Sequence, residues 1–139
     1  MRAVRIELAG RERYLCFTVE AMFRIEEEFG GTKNLTEFIA DNSREGLSAL
    51  CAAAAILAEQ GELARRQMGY ELEPMMDAAA VSASIVHPAD LAKLRTAVVN
   101  AITLGYGREV EPENDEVDLG LADLDEQKKT EPPGPTTSV

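Results

Sequence analysis

The sequence predicts a mainly α-helical fold: a small N-terminal β-hairpin packed on a compact bundle of about five or six helices, followed by a disordered acidic C-terminal tail. Three observations predict it. Val4–Leu8 alternates apolar and charged residues and is followed, after a Gly-containing turn, by the apolar run Leu15-Cys16-Phe17. From Thr18 to Leu104 the apolar residues recur at helical spacing around a stretch almost free of charge. After Gly107 the periodicity ends and acids accumulate.

In the hairpin, Val4-Arg5-Ile6-Glu7-Leu8 reads as a half-buried strand, Ala9-Gly10-Arg11-Glu12 as the turn and Arg13–Phe17 as the second strand. A two-stranded hairpin is marginal alone, so its apolar face is expected to pack on helices. Thr18 is placed to cap a first helix running through Met22, Phe23, Ile25 and Phe29, with Glu20 in its first turn and Gly30-Gly31 ending it. Asn34 and Glu37 have the spacing of a capping box opening a short helix that presents Leu35, Phe38 and Ile39.

The central helix follows. Leu47, Leu50, Cys51, Ala54, Leu57 and Ala58 form one face, and Ala49, Ala52, Ala53 and Ile56 the other, so burial on several sides is expected. Ser43 is its predicted N-cap and Gly61 its predicted left-handed terminator, with Glu62–Met68 as a further turn or two ended by Gly69. Pro74 fits the first turn of the next helix, with Met76, Ala79, Ala80 and Ala83 as a narrow stripe. Pro88 starts a last helix with the stripe Leu91, Leu94, Val98, Ala101 and Ile102, stopped by Gly105.

Composition divides the 139 residues into a body, 1–106, and a tail, 107–139. The formal net charge is −11, and the segment from Gly105 onward carries most of it. Its run of acids, interrupted only by scattered apolar residues such as Leu119, Leu121 and Leu124, and the closing Pro-Pro-Gly-Pro cannot bury enough apolar surface to offset ordering, so the tail is expected to be disordered. Such acidity argues against nucleic acid and against an anionic membrane surface as partners. With no signal-like N-terminus and a central apolar run of about 12 residues, short of the ~20 a membrane span needs, a soluble intracellular protein is expected. Cys16 and Cys51 lie in apolar surroundings without CxxC spacing and read as reduced core thiols.

Catalytic and metal signatures are missing from the motifs. Glu26-Glu27-Glu28 falls on consecutive helical positions that diverge by about 100° each, which suits a solvated face and not an ion site. His87, the single histidine, has no HxxxH or HExxH companion, and Ser43, Ser48, Ser82 and Ser84 lack a nucleophile-elbow context. Gly105-Tyr106-Gly107 follows a helix and lacks the lysine of a phosphate loop. A small hydrolase built on acids near His87 is the alternative from the enzyme class. Met68, Met75 and Met76 suit either core packing or an adaptable binding surface. No cofactor is expected.

The order of elements resembles the tail assembly chaperones of long-tailed phages. Ile6-Glu7-Leu8-Ala9-Gly10-Arg11-Glu12-Arg13-Tyr14-Leu15-Cys16-Phe17-Thr18 is similar to that family's opening hairpin. Ala21-Met22-Phe23-Arg24-Ile25-Glu26-Glu27-Glu28-Phe29-Gly30 is similar to its short helix of apolar residues and glutamates closed by glycine, and the resemblance covers about Val4 to Leu104. It implies a non-enzymatic protein of phage or prophage origin, present in the host bacterial cytoplasm and absent from the mature virion. It further implies binding to the tape measure protein, which is kept soluble, and recruitment of tail tube subunits. A C-terminally extended frameshift product is often made in the family. Self-association is possible on this reading, and a head–tail connector is the alternative morphogenesis adaptor. The partner surface is placed in a groove between the first and last helices floored by Phe23, Met76 or Val98, with Leu119, Leu121 and Leu124 as further anchors on the tail.

Overall fold

The structure is a computed structural model that describes residues 2–70, 74–107 and 116–118. Strands β1 (Arg2–Leu8) and β2 (Arg11–Leu15) pair antiparallel, in register from Val4↔Leu15 to Leu8↔Arg11. Ala9 and Gly10 connect them with φ of 54° and 77°, and two positive φ values in a two-residue turn match the twist of the flanking strands. Alternation fixes the faces: Val4 and Leu8 are buried while Arg5 and Glu7 are exposed. A third strand, β3 (Glu116–Asp118), joins the far edge of β1 through Arg2↔Asp118, Ala3↔Val117 and Val4↔Glu116, giving the order β2–β1–β3. Three residues with two acids carry too little alternation to announce a strand, and the sequence reading leaves them in the tail. The remaining expectations for the tail fall outside the described residues.

Five helices make the body. In α1 (Val19–Phe29) the Thr18 hydroxyl accepts from the Ala21 N–H at the start, and Gly30 closes the helix at φ 81°. The short helix α2 (Thr32–Ile39) begins two residues before the expected capping box. Gly31, at φ 124°, occupies the cap position, and Asn34 lies inside the first turn with its amide directed back to the Gly30 carbonyl. Glycine's freedom at φ > 0 lets the chain re-enter a helix at once, so the box is not used.

α3 (Arg44–Gln67) is one helix of 24 residues, with the Ser43 hydroxyl accepting from the Gly46 N–H. Gly61 does not end it. This glycine lies in the helix interior because β2 crosses there: a Cβ at Gly61 would overlap the Tyr14 carbonyl. Gly69, at φ 87°, follows the true end. α3 has the length and composition of a membrane span, yet 67% of its apolar window is buried within the protein, against β2 and the four other helices.

α4 (Ala78–Ser84) starts later than expected. Asp77 is its N-cap, accepting from Ala80 N–H at 2.8 Å, and Pro74 precedes it in irregular chain, its carbonyl accepting from Arg13 at 2.7 Å. The expected stripe is also rotated. Ala79, Ala80 and Ala83 are exposed, and Val81 points inward with Ala78 and Ile85 beside it. α5 (Pro88–Gly105) begins at proline as expected and packs along β1 and α3. Gly105 permits close contact with Phe17, whose ring a Cβ would strike.

The main core gathers Val4, Leu15, Ile25, Leu35, Ile39, Leu50, Leu57, Val81, Leu94 and Val98 around α3. Small side chains at Ala49, Ala53, Ala54 and Ala58 let neighbours approach α3 closely. Arg95 ties the layers together: its Nε donates to the Ile39 carbonyl at 2.7 Å, satisfying the end of α2, and its Nη2 donates to Asn42.

Candidate interaction surfaces

Helical phase divides α1 into two faces. Ala21 and Ile25 are wholly buried, whereas Val19 and Phe23, one turn apart, are 65% and 55% exposed. Glu20, Glu26, Glu27 and Glu28 flank them as solvated charges. The helix is held from behind: Thr18 Oγ1 donates to Gln60 Oε1 at 2.8 Å, and Arg24 pairs with Glu59 at 2.5 Å. That charge-assisted contact, before any other influence, keeps the Arg24 guanidinium above its ordinary pKa. The result is a fixed helix presenting an apolar pair within an acidic rim.

Two concavities accompany it. One, of about 500 Å³, lies at the α2–α3 corner between Phe29, Phe38, Glu37, Asp41 and Glu45. Of the apolar face expected for α2, Leu35 and Ile39 point inward, whereas the phase of the helix leaves Phe38 53% exposed. The other, of about 670 Å³, runs beside β1 from Arg5 to Leu8 and is walled by the outer side of α5, including Ala89, Ala92, Lys93 and Thr96.

The expected partner residues do not meet on one surface. Phe23 is exposed, but Met76 is 9% and Val98 0% exposed, and both belong to the core. Val98 has no surface to offer and so cannot floor a groove with Phe23. Leu119, Leu121 and Leu124 lie outside the described residues. Val19 was the missed companion of Phe23; its i,i+4 spacing was the signal available in the sequence.

The polar groups have structural work. Asp90 Oδ2 accepts from the backbone N–H of His87 at 3.0 Å and of Val86 at 3.2 Å, and these bonds hold its carboxyl below the ordinary range. His87 sits at the N-cap of α5. Arg65 lies between two rings, 4.6 Å from the Tyr14 centroid and 4.4 Å from that of Tyr70, and also approaches Glu62. Cys16 and Cys51 are free and buried; burial pushes the Cys16 thiol up to about 12 and also raises that of Cys51. Among the described residues there is no group of three or more His, Cys, Asp or Glu side chains arranged to hold a metal ion.

No protein-family model, no curated protein and no solved structure matches the chain.

Proposed function

We propose that this chain is a tail assembly chaperone of a long-tailed phage or prophage, a non-enzymatic protein that binds the tape measure protein in the host cytoplasm, keeps it soluble and recruits tail tube subunits. The reading rests on the resemblance of the hairpin and first helix, from Ile6 to Gly30. The observation that carries it on the structural side is the exposed Val19–Phe23 pair on a helix anchored from behind. An apolar pair at i,i+4 is the kind of contact that receives an apolar helical face. A long helical tape measure protein would present such faces along its length and would otherwise self-associate through them. The surrounding glutamates keep the surface hydrated and solubilise the complex.

Co-expression with the tape measure and tube proteins encoded beside it tests the reading. The expected result is that the tape measure protein stays soluble and co-purifies with this chain. Failure to co-purify with either protein at low salt contradicts the reading, and a stable closed ring of this chain alone would favour the connector.

A further inference from the structure

We propose that the cavity at the α2–α3 corner is a docking site for a basic, partly apolar segment of another protein, whose arginine or lysine side chain enters it. The cavity, of about 500 Å³, is lined by Phe29 and Phe38 together with Glu37, Asp41 and Glu45. That size suits a bound side chain or small ligand. Phe38 is 53% exposed there, while Leu35 and Ile39 of the same helix are buried.

The lining selects the occupant. An aromatic face attracts a cation, and its apolar body offers contact to the apolar residues beside that cation. Glu37, Asp41 and Glu45 are all exposed, and among the described residues none of them is in an ion pair. Lys33 and Arg44, close by in the chain, do not line the cavity. Arg95 is engaged by the Ile39 carbonyl and Asn42. Negative charge is therefore left uncompensated where the rings are. The three carboxylates do not converge as a metal-ion group would, which fits a rim around a larger organic cation. The chain's own tail is poorly matched to such a rim, since from Gly107 onward it carries ten acids against three bases.

The corner is preformed. Gly46 brings the start of α3 against the end of α2: a Cβ there would lie 2.7 Å from the Asp41 carbonyl oxygen and 3.0 Å from that of Phe38. Ser43 caps α3, and Arg95 holds the end of α2 from α5. A cavity already fixed in shape spares the occupant part of the ordering cost of binding.

Calorimetric titration of the full-length protein with a synthetic amphipathic helical peptide of leucine and arginine tests this. At about 0.15 M salt the general attraction of the −11 net charge is largely screened. Wild type should bind the peptide, and the same peptide with uncharged citrulline in place of arginine should bind at least about tenfold more weakly. Phe38→Ala and, separately, Glu37→Gln/Asp41→Asn should each weaken binding about tenfold. Both change only exposed side chains, so their melting temperatures should stay close to that of wild type. Glu7→Gln/Glu12→Gln removes the same charge from the hairpin and should bind as wild type does. Equal losses in the hairpin and corner variants would show attraction by net charge alone and overturn the proposal. So would a wild type that does not bind, or a Phe38→Ala variant that binds as well as wild type. Binding about tenfold tighter in Lys128→Gln/Lys129→Gln would put this chain's own tail in the cavity and overturn it too.

Discussion

The Tyr14 carbonyl of β2 rests directly on Gly61 of α3, at a distance that admits no Cβ. This contact is where the hairpin joins the helical body. One turn beyond it, Arg65 covers the Tyr14 ring, and Cys16, Ala3 and Ala64 close a small second core beside them. A few residues along, the Cys16 N–H donates to the Leu57 carbonyl at 3.1 Å, so a helix carbonyl is shared with the chain leaving β2. Sheet and helix are therefore in backbone contact, not only side-chain contact.

Gly61→Ala would raise the intrinsic propensity of α3, by up to about 1 kcal/mol, and by that measure alone should stabilise. The overlap with backbone opposes it, and overpacking of this kind costs about 1–3 kcal/mol or more. The expected outcome is net destabilisation, with a lower melting temperature and a displaced hairpin, measured by thermal unfolding and amide chemical shifts.

Leu50 is 1% exposed at the centre of α3. Leu50→Ala should cost about 2–5 kcal/mol in chemical denaturation. Leu50→Asp should leave no cooperative transition, because the carboxylate has no partner in the core.

Asp90 gives a pH dependence. Its folded pKa is depressed by the His87 and Val86 N–H groups, so it stabilises the protein above its unfolded value of about 3.9. That contribution is lost as pH falls through the lower folded value. Asp90→Ala should therefore melt below wild type at pH 7, and the gap should narrow as the pH is taken below about 4.

The buried thiols predict chemical silence. Cys16, at about 12, carries almost no thiolate at pH 8, and both cysteines are out of reach of solvent. Iodoacetamide should leave the native protein unlabelled and modify both residues in denaturant. Rapid native labelling of Cys16 would mean the β2–α3 contact opens readily.

Which features were legible in the sequence follows from their range. Thr18, Ser43 and Pro88 mark helix starts by local chemistry, and each lies where that chemistry puts it. The apolar girth of α3 likewise announced its burial. Gly61 misled because a glycine after an apolar run signals a helix end locally, whereas here it answers a distant strand. Asn34 misled because a cap pattern is idle when the preceding glycines already turn the chain. For the candidate site, Phe23 was legible and exposed, but Met76 and Val98 were not separable from core positions. Periodicity identifies an apolar stripe without saying whether another element covers it. β3 required knowledge of which strand edge was free.

The most direct test of the account is retention of the tape measure protein by the α1 face. Val19→Asp/Phe23→Asp changes only exposed positions, so the variant should fold and melt close to wild type. In a quantitative co-purification, wild type should hold the tape measure protein in solution and the variant should lose it, by at least about tenfold in affinity. A folded variant that retains the tape measure protein as well as wild type does would contradict the claim that α1 is the contact surface.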